Sequence, residues 1–568
     1  MERRKLLIIF LIILILFGIL IRVLYLNKDF SGEETEFIKP ALAIKNTGFP
    51  IFYHSEQQPK EIFLAHPPMY INLLAFLFNF SISEISARSL NIFFSFLTAL
   101  LIFLFYSKII GGEKGNLLGI ISSAFFLVNY YIFSSSVLID IDVLSAFFVF
   151  GFIFFICLNH KKNSKYSLLS AGIFLFFALA NRYPIALMIY FLIGMYYLFN
   201  RELRKKIMGY LFMGFISAMF FLLIWAIYSM FYLPGNYFFS FISHNVSFGA
   251  EQFNSLFVYI GSFALNLSQF IRLFTFPATI LMFLTFFYFI KEKNFNVRIL
   301  MIYVISILVL FVIVPRPAFG YPRYFMSMFP GLSILISLFI YDSMNKIKSN
   351  KREIVYISII TFLLSILLLI FLKPQLTLYA SNGLIKATNL PDFILNILCS
   401  IPLILVFLTK KEKRRGIFVL MLIALSLSYS LYFDCKLAAY DSHIKETAEY
   451  IKERTSSDDI IIAPKAIGYY SERNFYVNDN NKPKLDFSLS YLSEYFKKSF
   501  ENPKMNEEFF WQGDFYSGTS FPSYGINPSE EDLKRAHYII LYRPIGDYKI
   551  ETKIGDFYVY NSKDIENN

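Results

Sequence analysis

The chain has 568 residues, of which 56% are hydrophobic, 19% aromatic and only 17% charged. Soluble domains run at about 45–50% apolar and about 25% charged, so this composition excludes one large soluble core and marks a membrane protein. The formal charge of +12 is spread as short Lys and Arg runs between apolar segments, which fits membrane topology rather than nucleic-acid binding.

Met1 to Lys5 is basic and precedes the apolar run Leu6–Leu26, which at about 20 residues is long enough to span a bilayer. The run is longer than a signal-peptide core and lacks a small-residue cleavage site, so it reads as an uncleaved first span with a cytoplasmic N-terminus. A polar loop, Asp29 to Tyr70, follows inside a first external loop of residues 27–85. Pro67–Phe80 is apolar but too short to span, and is expected to lie in the interface as an amphipathic helix.

Further spans are expected at 86–106, 116–134, 141–159, 166–182, 184–200, 207–230, 270–290, 297–315, 324–343, 353–372, 392–409 and 416–433, about thirteen in all. The basic runs at Lys108/Lys114, Lys161 to Lys165, Arg201 to Lys206, Lys291 to Arg298, Lys346 to Arg352 and Lys410 to Arg415 fall in alternate loops. The positive-inside rule makes those loops cytoplasmic and puts the Asp29–Tyr70 loop outside. Two further external loops, Phe231–Gln269 and Lys373–Asp392, are long enough to cover a site.

From about Asp434 the composition turns polar. Ala438–Glu453 has helical spacing, and Asp459 to Ala463, Tyr538 to Tyr542 and Phe557 to Tyr560 read as strands. The expected fold is therefore a polytopic α-helical membrane protein of the plasma or inner membrane, residues 1–433. A small extracytoplasmic α/β domain, residues 434–568, follows it. Cys157, Cys399 and Cys435 are scattered, with neither metal spacing nor a disulfide framework.

The chemistry-bearing candidates cluster on the external side. Glu33 and Glu34 lie just past the first span, with Ser31 three residues before Glu34 in the spacing of a capping box. Asp140 and Asp142 stand at the outer end of a span, where acids are costly; Asp142 reads as the helix cap and Asp140 as the functional acid. His66 precedes Pro67-Pro68, Arg88 opens a span, Arg182 lies in a tight turn, and Arg323-Tyr324 sits in an aromatic segment ending at Pro330. Cations on the outer side run against the positive-inside trend; a phosphate accounts for them, because Arg offers a bidentate fork. The alternative for each arginine is snorkelling to headgroups. A carboxylate base, an acceptor hydroxyl and a lipid phosphate leaving group held by cations make one consistent chemistry.

The pattern resembles the GT-C glycosyltransferases, in particular the protein O-mannosyltransferases and the lipid A aminoarabinose transferases. The residues carrying it are Glu33-Glu34, Ala41 to Gly48, His66-Pro67-Pro68, Arg88, Asp140, and Arg323-Tyr324 with Pro330. Glu33 stands where the family usually has Asp, and His66 where the aminoarabinose branch often has Lys. The resemblance implies a polyprenyl (dolichyl or undecaprenyl) phosphate sugar donor and inversion at the sugar carbon. Glu33 would be the base, with Glu34 and Asp140 beside it, and His66, Arg88, Arg182, Arg323 and Tyr324 would form the phosphate site. The acceptor it implies is a hydroxyl of a glycan, a lipid or a protein. No cofactor is specified; a divalent cation, if used, would sit at Glu33 and Asp140. The competing classes are a secondary transporter, which calls for inverted repeats and charges near the midplane, and a non-catalytic scaffold.

Overall fold

A computed structural model describes residues 2–30, 32–48, 51–52, 61–62, 69–232, 276–310, 322–345, 412–439, 441, 443–476, 536–541, 549–555 and 557–562. The first helix, α1 (Glu2–Tyr25), leads through a short turn to α2 (Gly32–Thr47) and a minimal antiparallel pair, β1 (Ile51–Phe52) with β2 (Glu61–Ile62). The segment expected at the interface forms α3 (Met69–Phe78). Next, α4 (Glu84–Phe105) starts at Ser83, whose hydroxyl accepts a hydrogen bond from Ser86 N at 3.1 Å. Such a cap satisfies one of the four orphan amides of a helix start.

The segment expected as one span over 116–134 is broken. It forms α5 (Gly112–Val128) and α6 (Tyr130–Ser136), bent by 64° at Asn129. Asn129 turns extended and its side chain accepts from Tyr131 N at 3.1 Å, so Tyr131 no longer bonds the Leu127 carbonyl. Arg22, fully buried in α1, fills that gap. Its Nη1 donates to Leu127 O at 2.8 Å and Gly18 O at 2.7 Å, and its Nε donates to Ser136 Oγ at 2.9 Å. One guanidinium thus braces both sides of the bend. Reading Leu6–Leu26 as simply aliphatic passes over this residue, although an ionisable group inside an apolar span signals a specific partner.

The central helix is α7 (Ile141–Lys162), buried along nearly its whole length. Its basic end contacts the end of the α4 region, where Lys161 Nζ donates to the carbonyls of Lys108 and Ile109 at 2.9 and 2.8 Å. The next element, α8 (Lys165–Phe199), breaks at Arg182 (φ −151°, ψ 76°), two residues before Pro184. Both arms flank α9 (Ile207–Tyr232). In the first arm, Gly172 O accepts from Ser217 Oγ at 2.8 Å; in the second, Tyr190 and Tyr197 stack on Tyr210 at 4.8 and 5.1 Å. Both arms reaching the same helix makes α8 a hairpin with its turn at Arg182, where the expected segments 166–182 and 184–200 divide.

The bundle continues with α10 (Phe276–Phe289), α11 (Phe295–Leu308), a 3-10 turn at Pro322–Met328, α12 (Phe329–Asn345) and α13 (Glu412–Ala439). By length and composition, six helices among the described residues, with α8 taken as one, can cross a membrane, or seven with α5 and α6 as one bent span. The expected spans 353–372 and 392–409, the loop 373–392 and residues 233–269 of the loop Phe231–Gln269 lie outside the described residues.

The expected helix Ala438–Glu453 is divided: α13 runs to Ala439, and α14 (Ile444–Arg454) begins after His443, whose φ of 54° is left-handed. There follow β3 (Ile460–Ile462), α15 (Lys465–Ser471), β4 (Asn474–Tyr476), β5 (Ala536–Leu541), β6 (Thr552–Ile554) and β7 (Phe557–Asn561). The five strands form one sheet in the order β4-β3-β5-β7-β6. Strands β4, β3 and β5 are parallel, and β7 is antiparallel to β5 and β6. Ile461, Ile540 and Val559 pack with Ile444, Ala448 and Ile451 of α14 in a core of their own.

Candidate active site

The N-terminal ends of α2, α4 and α7 meet at one end of the bundle, opposite Lys161. The joint is the Arg88–Glu34 pair. Arg88 Nε donates to Glu34 Oε1 at 2.9 Å and Nη2 donates to Oε2 at 2.8 Å, a bidentate fork with both side chains buried. The remaining donors close the turn after α1: Nη2 reaches Asp29 O at 2.8 Å, and Nη1 reaches the carbonyls of Leu26 and Lys28. The guanidinium also lies 5.2 Å from the Tyr25 ring and 5.5 Å from the Phe30 ring.

Glu34 carries the link onward, since its Oε1 also accepts from Ile139 N at 3.2 Å, one residue before Asp140. Asn91, one helical turn after Arg88, fixes the same segment: its Nδ2 donates to the carbonyls of Leu138 and Asp140, and its Oδ1 accepts from Tyr70 Oη at 3.1 Å. Burial, with the Asp140 and Glu34 carboxylates nearby, pushes the Tyr70 hydroxyl well above its ordinary pKa. Asn91 and Tyr70 are absent from the sequence-derived set. The usable signal was Asn91 itself, a polar side chain in an apolar helix on the same face as Arg88 at i+3.

The capping role expected of Asp142 falls to Asp140. Asp140 is the N-cap of α7, its Oδ1 accepting from Ile141 N, whereas Asp142 inside the first turn forms a buried ion pair with Arg182. Asn181 Nδ2 donates to Ile141 O at 2.9 Å and holds the α8 turn against the same helix start. Placing acids in first helical turns lowers their cost, because unpaired backbone amides face them. Arg88 and Arg182, expected on phosphate, are each engaged with a carboxylate here.

Glu33 lies in the first turn of α2 beside Glu34, and Arg323 and Tyr324 lie in the 3-10 turn Pro322–Met328; their side chains, Ser31 and His66 are outside the described residues. Ser327 of that turn donates through Oγ to Ser145 Oγ of α7 at 3.2 Å, which places the turn against the helix that Asp140 caps. Among the described residues, no three His, Cys, Asp or Glu side chains are grouped to hold a metal ion.

Residues 65–225 match the family model for dolichyl-phosphate-mannose-protein mannosyltransferases. Over the whole chain, the fold is similar to ArnT from Cupriavidus metallidurans bound to undecaprenyl phosphate, with a TM-score of 0.56 at 11% identity, covering 97% of this chain and 98% of that one. The chain has the GT-C membrane glycosyltransferase fold. ArnT of the same organism in its apo state gives a TM-score of 0.52 at 12% identity, covering 87% and 91%. No curated protein matches. The family match runs from residue 65, just before α3, to residue 225 within α9, so it contains Arg88, Asn91, Asp140, Asp142 and Arg182.

Proposed function

We propose that this protein is a membrane glycosyltransferase that moves a sugar from a polyprenyl phosphate to an acceptor hydroxyl at the bundle end where α2, α4 and α7 meet. The observation that carries the reading is the convergence of the buried Glu34, Arg88, Asp140 and Asp142 on three helix starts, within a fold whose neighbour binds undecaprenyl phosphate. The family model names a dolichyl-phosphate sugar as donor, which supports the same donor class.

In the reaction, a carboxylate takes the proton of the acceptor hydroxyl as its oxygen bonds to the anomeric carbon. The bond from that carbon to phosphate oxygen breaks on the opposite face, and the polyprenyl phosphate leaves with the electron pair, inverting the centre. Both oxygens of Glu34 bind Arg88, so Glu34 serves as a brace. The base is Glu33, one residue earlier in the same turn, assisted by Asp140. Cations at His66 and Arg323 hold the leaving phosphate, where charge develops in the transition state. Arg88 and Arg182 hold Glu34 and Asp142 in place rather than binding the donor.

The test compares transfer of labelled sugar by wild type, Glu33→Gln, Asp140→Asn and Glu34→Gln, alongside binding of undecaprenyl phosphate. The reading expects Glu33→Gln to lower kcat by a factor on the order of 10²–10⁴ with lipid-phosphate binding intact, the range of a lost general base. Full activity in Glu33→Gln with loss in Asp140→Asn would move the base to Asp140.

A further inference from the structure

The sheet region does not merely follow the bundle; it grips the turn that feeds Arg88. Tyr470, in α15, stands at the contact. Its Oη accepts from Phe30 N at 2.9 Å and donates to Glu84 Oε1 at 2.6 Å, linking the turn after α1 to the first residue of α4. The Tyr470 ring stacks on Phe30 at 5.9 Å and 13°, and Tyr469 meets Phe30 edge-on at 5.9 Å. Lys445, at the start of α14, adds two bonds. Its Nζ pairs with Glu84 Oε1 at 2.6 Å, and its backbone N donates to Asp29 Oδ2 at 3.0 Å.

These contacts fall on the residues that hold the site. The Asp29 carbonyl accepts from Arg88, the Phe30 ring lies under the Arg88 guanidinium, and Arg88 grips Glu34. We propose that Tyr470 is a positioning residue through which the C-terminal sheet region orders the Asp29-Phe30 turn and so the Arg88–Glu34 brace and its neighbour Glu33. The structural coupling stands on the geometry alone; its effect on turnover rests on the glycosyltransferase reading. Burial and the adjacent Glu84 carboxylate push the Tyr470 hydroxyl well above its ordinary pKa, so it remains a donor at neutral pH.

The test uses full-length protein in detergent, with wild type, Tyr470→Phe and Lys445→Met followed by amide hydrogen exchange and by donor-transfer kinetics. Tyr470→Phe keeps the ring stack and deletes only the hydroxyl. Exchange at Phe30 is expected to rise roughly ten-fold, the equivalent of one hydrogen bond to a buried amide, with Ile539 and Ile540 in β5 unchanged. Lys445→Met is expected to move Phe30 in the same direction. In kinetics, kcat falls while the donor KM stays within about two-fold, because the affected group acts on the base rather than on donor binding. Unchanged exchange at Phe30 in Tyr470→Phe overturns the proposal, as does an equal rise across β5, which would report unfolding of the sheet. Raised Phe30 exchange in a protein whose wild type turns over no polyprenyl-phosphate sugar keeps the coupling and removes the glycosyltransferase reading.

Discussion

An arginine buried at the end of an apolar bundle needs its charge matched and its donors filled, and Arg88 has both. A carboxylate takes two donors, backbone carbonyls take the rest, and two aromatic faces cover the guanidinium. Removing one member of such a pair leaves the other charged and buried, which costs about 3–5 kcal/mol. Arg88→Gln is therefore expected to lower thermal stability by that order, measured in detergent by unfolding. Arg88→Lys is expected to fall well short of wild type, because an ammonium cannot reproduce the fork. Unchanged stability with a selective loss of lipid-phosphate binding would return Arg88 to the phosphate site. Asp142 and Arg182 are expected to couple in a double-mutant cycle of Asp142→Asn and Arg182→Gln, with an interaction on the order of 1–3 kcal/mol; additive effects would deny the pair. At this scale Glu34, Arg88, Asp140, Asp142 and Arg182 were legible as charges near apolar segments, whereas Arg22, Asn91 and Tyr70 were passed over. The partners of those charges were not legible: Asp140 and Asp142 differ by two positions, and only the helix start at Ile141 decides which one caps and which one faces Arg182.

Among the elements, the broken helix α5–α6 sets where Asp140 stands. The chain leaves α6 at Ser136 and reaches Asp140 in four residues, so the direction of the bend fixes the start of α7. Arg22 braces the bend, and Gly18 permits the close approach of α1, since a Cβ there would lie 3.3 Å from Leu127 O. Asp434 of α13 is near enough to act on Arg22 electrostatically. Arg22→Leu leaves the Leu127 carbonyl and Ser136 without this partner, and is expected to cost about 1–3 kcal/mol of stability per orphaned buried group. The expected signature is faster hydrogen exchange in residues 129–139; unchanged exchange there would remove the brace. Hydropathy placed α5 and α6 correctly as apolar chain but carries no record of a bend, which depends on one asparagine choosing its own cap. The hairpin at Arg182 was legible, because Pro184 disrupts a helix interior and the apolar run is too long for one span.

Across the molecule, charge is segregated, with the carboxylate-bearing helix starts and the sheet region at one end and the Lys161 end opposite. The expected orientation puts the acids outside. Single cysteines at exposed positions test it in a cysteine-free background: Ser81→Cys is expected to react with an impermeant maleimide on intact cells, and Lys162→Cys only after permeabilisation. The reverse pattern would invert the topology. The alternation of basic loops made the two ends of the bundle readable, whereas the grip of α14 and α15 on the Asp29-Phe30 turn spans more than 400 residues of sequence and left no local pattern.

The most direct measurement follows polyprenyl phosphate and glycosylated product together, with purified protein, a panel of polyprenyl-phosphate sugars and an acceptor mixture from the native envelope. The account predicts equal amounts of free polyprenyl phosphate and of product with inverted anomeric configuration, both dependent on acceptor and both lost in Glu33→Gln. Retained configuration, or lipid-phosphate release that Glu33→Gln and Asp140→Asn leave untouched, would contradict it.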